Sequence, residues 1–267
     1  MKLLMQSDDY GITPAAADGI IYAITHGVIR NTGFFSNMPW SEECAEKIKP
    51  YLDQIAFGID LNASTGSSIL GYDKVPNLCH PDGSFLTSKE NRAADIDAPG
   101  HDHVDYDQVY AEFDAQIQRH IELIGRLPDY IHSHAYGTET TERARRDLAK
   151  KYNRPYTNNV RRKMYNGETH PYKSWYVMGG PEAQLTEDII GFITSNQACD
   201  PVKDELGYIV CHCGFADAPL FKLSSFNTCR VKDLEGMVSD EVKQWIKDNN
   251  IELITFNDLD PSFWEDR

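Results

Sequence analysis

Acidic and imidazole side chains follow several separate runs of apolar residues, at the points where those runs end. They are Asp8, Asp9, Asp60, His132, His134 and His212. Carboxylates and imidazoles are ligands for divalent metal ions. A bound metal ion with an open coordination position lowers the pKa of a water ligand and polarises a carbonyl group. A spare carboxylate can then accept the proton of the water, and a histidine can protonate the leaving group. These residue types therefore favour metal-assisted hydrolysis.

The two adjacent acids Asp8 and Asp9 follow a short apolar run at residues 3–5. Neighbouring side chains of a regular strand point to opposite faces, so both acids can face one ligand only where the strand is irregular. We therefore predict that the strand ends here and that the chain turns through Gly11 into a helix beginning near Thr13 and Pro14. A polar turn before a helix is the alternative interpretation of the same residues.

The elements that must position these residues alternate between strand and helix along the chain. About seven strands are predicted, at residues 3–5, 28–37, 55–62, 130–134, 175–178, 208–211 and 251–256, and residues 155–158 are a further candidate for a short strand. Repeated βα units with this many strands predict a single α/β domain over residues 1–267, folded as a TIM-like (βα) barrel. The acids and histidines would then meet at the carboxyl ends of the strands, where the active sites of such barrels lie.

Residues 63–103 show no sustained periodicity and are rich in Gly, Pro, Asp, Ser and Asn. We predict a long active-site loop, with an inserted segment of no function as the alternative. Four aromatic residues are candidates for stacking on a ligand, although core packing is the more common role of aromatic side chains. They are Tyr72, Phe85, Tyr136 and Trp175.

The composition excludes several classes of function. A net charge of −15 over 267 residues argues against a nucleic-acid partner, because phosphate binding needs clustered Lys and Arg. No apolar stretch approaches the length of a membrane span, and the first residues do not resemble a signal peptide, so a cytoplasmic location is expected. The six cysteines are then expected to be free thiols. Cys211-His212-Cys213 lacks the second Cys pair of a structural zinc site.

The ordered set of short motifs resembles the YdjC/ChbG-type carbohydrate deacetylases over nearly the whole chain. The motifs are Ser-Asp-Asp-Tyr-Gly-Ile-Thr at 7–13, Gly-Ile-Asp-Leu-Asn at 58–62, Pro-Asp-Tyr-Ile-His-Ser-His at 128–134, Val-Cys-His at 210–212, and the region from 230 to 253. The resemblance implies a TIM-like barrel and metal-dependent removal of N-acetyl groups from amino sugars or short oligosaccharides. It also implies one divalent metal ion, Mg²⁺ by family with Zn²⁺ or Mn²⁺ as alternatives, and a homodimer.

Carried over by position, the resemblance makes Asp9 and His134 metal ligands, Asp8 the general base, and His212 the general acid or oxyanion partner. This chain has Asp60 where the family has a second histidine ligand, and His132 where the family has an aspartate. Asp60 can complete an Asp, Asp, His ligand set that suits Mg²⁺ or Mn²⁺. Alternatively, His132 binds the metal and Asp60 supports it from the second shell, or the site binds metal poorly.

Two other functions stay open on the sequence. The same scaffold can carry a different metal hydrolase, since fold does not fix the substrate. The exchanged positions Asp60 and His132 also allow a non-catalytic or differently specific sugar-binding relative with an altered metal site.

Overall fold

A computed structural model describes residues 1–165 and 174–264. The strands are β1 Lys2–Tyr10, β2 Asn31–Phe34, β3 Ala56–Leu61, β4 Ile131–Ser133, β5 Leu206–Cys211 and β6 Glu252–Ile254. The helices are α1 Pro14–His26, α2 Ser41–Ile48, α3 Ser88–Asp97, α4 Tyr106–Ile124, α5 Glu139–Tyr152, α6 Thr157–Met164, α7 Pro181–Gln184, α8 Ile189–Thr194, α9 Ala218–Leu223, α10 Cys229–Val238 and α11 Asp240–Asp248.

The described strands form one six-stranded parallel sheet with β1 at its centre. Its order is β4-β3-β2-β1-β5, and β6 pairs with the first residues of β1. The prediction of an α/β fold with parallel βα units is therefore confirmed, while closure into a TIM-like barrel stays a prediction. Asn31 ties three strands together, because its side-chain amide donates to the carbonyl oxygens of Met5 and Ile254 and its oxygen accepts the N–H of Phe256.

Helices cover the sheet with apolar faces and leave the carboxyl ends of the strands free for polar residues. The largest cluster of buried side chains joins β1 and β2 to α1, α10 and α11, with Ile20, Met237 and Trp245 among its members. A second cluster packs α4 and α5 against β3 and β4 through Phe113 and Leu148. Burial of such side chains from water is the main favourable term in holding the layers together.

Several sequence predictions are wrong in detail. Residues 155–158 form no strand: Tyr156 makes an isolated bridge to Ile131, and helix α6 begins at Thr157. Residues 175–178 are irregular: the indole N–H of Trp175 donates to Asp233, and the backbone N–H of Val177 donates to Glu187 rather than to a neighbouring strand. The segment 63–103 contains helix α3, whose start is fixed by a capping box between Thr87 and Glu90. Helix α6 extends to Met164, and residues 166–173 lie outside the described residues.

Candidate active site

A bulge in the central strand brings Asp8 and Asp9 to one site. Strand β1 continues to Tyr10 rather than ending at the acids, and its register against β2 shifts between Ser7 and Tyr10. Asp9 lies in the left-handed region with φ 67°. This conformation costs a non-glycine residue roughly 1–3 kcal/mol, so the surrounding contacts must hold it. The predicted strand end is therefore wrong, whereas the expectation that the backbone is irregular there is confirmed.

Asp9 is held by an imidazole, by a guanidinium and by its own backbone N–H. Its carboxylate accepts from His134 Nδ1 at 2.8 Å and from Arg230 Nη2 at 2.6 Å. Its backbone N–H donates to Asp60 Oδ2 at 2.7 Å. Burial alone would raise the pKa of Asp9, but His134 and Arg230 hold it well below the ordinary value. Asp9 is thus a fixed anion at neutral pH.

Asp8 has one imidazole partner at hydrogen-bond distance and one farther away. Its Oδ2 lies 3.0 Å from His132 Nε2 and 4.0 Å from His212 Nε2, and Gln6 donates to its Oδ1. The Nδ1 of His132 is 2.6 Å from the hydroxyl oxygen of Thr157, so both nitrogens of that ring are engaged. Burial opposes ionisation, but the neighbouring His132 lowers the pKa of Asp8 below its ordinary value. Asp8 is therefore ionised and faces His212 across a gap wider than a hydrogen bond.

Asp60 differs from Asp8 and Asp9 because one of its carboxyl oxygens accepts no hydrogen bond from the described residues. Its Oδ2 accepts the N–H of Asp9, while its buried Oδ1 has no hydrogen-bond partner among the described residues. Burial, and then the charges of Asp8 and Asp9, raise its pKa well above the ordinary value. The lack of a side chain at Gly33 leaves room for the Asp60 carboxyl group, because a Cβ atom at residue 33 would lie 1.7 Å from Asp60 Oδ1. Asp60 and His132 are direct register partners on β3 and β4, so the two exchanged positions lie side by side.

A hydrogen-bonded relay fixes His212. Its Nδ1 lies 2.7 Å from the Tyr176 hydroxyl, which donates to Asp233 Oδ2 at 2.6 Å. Because the tyrosine proton goes to Asp233, the tyrosine oxygen accepts from His212 Nδ1, and Nε2 is left to face Asp8. Asp233 also accepts the backbone N–H of His212 and the indole N–H of Trp175. Burial lowers the pKa of His212 and raises that of Asp233 to about 6.

The structure brings all six sequence-predicted residues together and adds others that sequence reasoning missed. The added side chains are Gln6, Thr157, Tyr176, Arg230 and Asp233. A signal for two of them was present: Arg230 and Asp233 are spaced i,i+3, which places two charges on the face of α10 that also carries the buried Leu234 and Met237. Charged residues on a buried helix face need partners, and here the partners belong to the site.

Three of the four aromatic residues considered for stacking are buried in other roles. Phe85 packs in the core, the Tyr136 hydroxyl donates to Asp95, and the indole of Trp175 donates to Asp233. Tyr72 is exposed. The three buried rings therefore offer no open face to a ligand.

The types of residue in the site suit a hard divalent cation, because three buried carboxylates lie beside imidazoles. One oxygen, Asp60 Oδ1, has no partner among the described residues. In this arrangement the acids and imidazoles pair with one another. Within residues 1–165 and 174–264, no three His, Cys, Asp or Glu side chains are placed to hold one metal ion together. We also find no helix in these ranges that is long and apolar enough to cross a membrane.

Fold and site define the class: a parallel α/β protein with paired acids and histidines at the carboxyl ends of its strands. The family model of the YdjC-like proteins matches residues 2–248, and the chain belongs to that family. It is 28% identical to "Carbohydrate deacetylase 2" of Listeria innocua over 97% of this chain and 99% of the relative. It is 29% identical to "Carbohydrate deacetylase" of Enterococcus faecalis over 97% of this chain and 98% of the relative.

Two solved structures have a similar fold, and one of them is also similar in sequence. A crystal structure from Enterococcus faecalis V583, described as a candidate cellobiose-phosphate cleavage protein, superposes with a TM-score of 0.74 at 26% identity. The match covers 96% of this chain and 97% of that chain. A peptidoglycan N-acetylglucosamine deacetylase has a TM-score of 0.50 at 11% identity, which is a likeness of fold alone.

Proposed function

We propose that this protein is a metal-dependent carbohydrate deacetylase that hydrolyses the N-acetyl group of an amino sugar or a short oligosaccharide. The observation that carries the proposal is the position of Asp8 and His212 on either side of one gap, beside the fixed anion Asp9. The names of the relatives, carbohydrate deacetylases, support the same reaction. A TIM-like barrel, a cytoplasmic location and a homodimer belong to the proposal.

Asp8 and His212 carry out two different proton transfers. Asp8, ionised and oriented by His132 and Gln6, accepts the proton of the attacking water. His212 holds its Nδ1 toward Tyr176 and so keeps Nε2 for the proton that the leaving amine needs. Because burial lowers the pKa of His212, its imidazolium form gives up that proton readily. Burial of the acids keeps bulk water away, which strengthens each of these interactions.

Asp9, Asp60 and His134 would hold the cation, and their donor set favours Mg²⁺ or Mn²⁺. The oxygen of Asp60 that has no partner among the described residues supports its place in this set. When bound, a divalent cation would polarise the acetyl carbonyl and lower the pKa of water.

The test measures acetate release and metal content together. Protein purified without chelator should release acetate from N-acetylglucosamine or its short β-linked oligomers, lose this activity with EDTA, and regain it with Mg²⁺ or Mn²⁺. Asp9→Ala and His134→Ala should lose both metal uptake and hydrolysis, whereas the exposed controls Asp73→Ala and His101→Ala should not. If either site variant kept both properties, the proposal would be wrong.

A sugar-binding relative without catalysis is the second candidate. It is favoured by one observation, that the two carboxylate oxygens of Asp9 are already bonded to His134 and Arg230. Titration of the purified protein with Mg²⁺, Mn²⁺ and Zn²⁺ distinguishes the two: uptake of none of these ions, together with sugar binding, would favour this candidate.

A further inference from the structure

A buried tyrosine lies under the acids of the candidate active site, toward the amino ends of the strands. Tyr130 stands two residues before His132 and Gly58 two residues before Asp60, and strands β3 and β4 pair Asp60 with His132. Because residues i and i+2 of a strand face the same side, Tyr130 and Gly58 face the side of the sheet that carries these two residues. Tyr130 is 0% exposed, and its hydroxyl group has no hydrogen-bond partner among the described residues. Such a buried group is costly, and the proposed reaction gives Tyr130 no role.

The ring of Tyr130 is held in place by two contacts. It packs against the ring of Phe256, 4.2 Å away from centre to centre. Its Cε1 and Cζ atoms lie 2.6 Å from the position that a Cβ atom would take at Gly58. The ring therefore lies across β3, and it does so because residue 58 has no side chain. Since Cζ carries the hydroxyl group, the hydroxyl group also lies close to Gly58.

The oxygen of Asp60 that has no partner lies over the next strand of the sheet. Asp60 Oδ1 is 1.7 Å from the position of a Cβ atom at Gly33, and Gly33 pairs with Gly58 between β2 and β3. Neighbouring strands are about 4.8 Å apart, so the Tyr130 hydroxyl group and Asp60 Oδ1 lie over adjacent glycines. Two hydrogen bonds of about 2.8 Å through one water molecule span such a distance. Burial, and then the charges of Asp60 and Asp8, raise the pKa of Tyr130 well above its ordinary value, so the phenol keeps its proton at neutral pH.

A second tyrosine under the site supports Asp8 in a comparable way. The Tyr208 hydroxyl group donates to Gln6 Oε1 at 2.6 Å, and the amide group of Gln6 donates to Asp8 Oδ1. A protein side chain thus joins this tyrosine to its acid. Under Asp60 the facing positions of β2 and β3 are glycines, which supply no such side chain. A water molecule can take that place, because buried water binds where polar groups on both sides give it partners.

We infer that one buried water molecule joins the Tyr130 hydroxyl group to Asp60 Oδ1, and that Tyr130 thereby positions the Asp60 carboxylate in the candidate active site. The hydroxyl group donates to the water, and the water donates to Oδ1. This bond and the N–H of Asp9, which Oδ2 accepts, then fix both oxygens of the carboxylate. A carboxylate oxygen has two lone pairs, so Oδ1 keeps one for a cation.

Hydrogen bonds from neighbouring groups orient the side chains that bind metal ions. Tyr130 is therefore a positioning residue for the cation that Asp60, Asp9 and His134 would hold. This role rests on the proposed function, whereas the water bridge itself does not.

The substitution Tyr130→Phe tests the bridge by the sign of its effect on stability. In EDTA it should lower the urea midpoint of unfolding by roughly 0.3 M, because Asp60 Oδ1 loses its donor. Removal of a hydroxyl group that had no partner would instead raise the midpoint. In an Asp60→Ala background, Tyr130→Phe should no longer lower the midpoint, because the two residues act through one bond.

Tyr156→Phe is the matched control for these measurements. Tyr156 is also buried, but its hydroxyl group donates to Glu142 at 2.7 Å. Its substitution should lower the midpoint equally in the wild type and in the Asp60→Ala background.

The positioning role is tested by calorimetric titration of the purified protein with Mn²⁺. Tyr130→Phe should raise the Kd for Mn²⁺ about 10-fold, the loss that follows removal of a group orienting a metal ligand. Tyr156→Phe should leave this Kd unchanged. An unchanged Kd in Tyr130→Phe would overturn the positioning role.

The outcomes separate this inference from the proposed function. If the wild type bound neither Mn²⁺ nor Mg²⁺, the proposed function and the positioning role would fail, and the unfolding measurements would still decide the bridge. A raised midpoint for Tyr130→Phe, or an equal loss in both backgrounds, would overturn the bridge. A crystal structure of the wild type needs no variant: it should show an ordered water within about 3.2 Å of both atoms, and a map without one would contradict the inference.

Discussion

Asp8 and Asp9 are neighbours on one strand, both are buried, and their environments differ. Asp9 is locked by Arg230, His134 and a left-handed backbone. Asp8 has the neutral Gln6 and the titratable His132 as partners, and it faces the gap to His212. One buried acid therefore serves as a fixed anion, while the other keeps the freedom to take a proton. The bulge between them makes the difference, because it directs adjacent side chains to different partners around one site.

Removal of Arg230 should give the largest effect on stability. Arg230→Met leaves Asp9 buried with one imidazole, and breaking a buried ion pair from one side costs about 3–5 kcal/mol. Denaturant unfolding would measure the loss. The exposed Arg143→Met is the control and should change the free energy of unfolding by less than about 0.5 kcal/mol. A loss below 1 kcal/mol for Arg230→Met would show that Asp9 is not held by this charge.

Asp8→Asn should give the largest effect on activity with little effect on folding. The amide keeps the shape of the side chain and an oxygen for Gln6, but it cannot accept the proton of water. Loss of a general base lowers the rate by roughly 10²–10⁴-fold, whereas we expect stability to change by about 1 kcal/mol at most. Acetate release and denaturant unfolding are measured on the same preparation. Retained activity would remove Asp8 from the mechanism. A large loss of stability would show that Asp8, like Asp9, stabilises the fold.

The dependence of stability on acidic pH should also reflect the difference between Asp8 and Asp9, as a smaller effect. The pKa values of Asp8 and Asp9 are both lowered in the folded protein, and that of Asp9 more strongly. Each therefore contributes stability above the unfolded-state pKa near 3.9, and this contribution is lost as the pH falls through the folded-state value. Between pH 5 and 2, Asp8→Asn should lose less in Tm than the wild type, by a few degrees. Parallel curves would show that ionised Asp8 is not favoured by the fold.

Much of the fold and of the candidate site was predictable, because apolar periodicity and strand ends are local signals. The βα alternation and the clustering of Asp8, Asp9, Asp60, His132, His134 and His212 follow from where apolar runs stop. The irregular segment 175–178 was not predictable in the same way. Its aromatic residues have the composition of a strand, yet Trp175 and Tyr176 turn their polar atoms to Asp233.

The sequence by itself determined which residue types meet, since parallel βα units bring strand ends to one edge of a sheet. It also shows that Asp60 stands where the family motif has a histidine and that His132 stands where the family motif has an aspartate. Only the tertiary structure decided the partners. Arg230 is 221 residues from Asp9 in the chain, and the left-handed turn at Asp9 is stabilised by Asp60 from another strand. A buried charge takes its state from what lies within a few ångströms of it, and no local pattern records that distance.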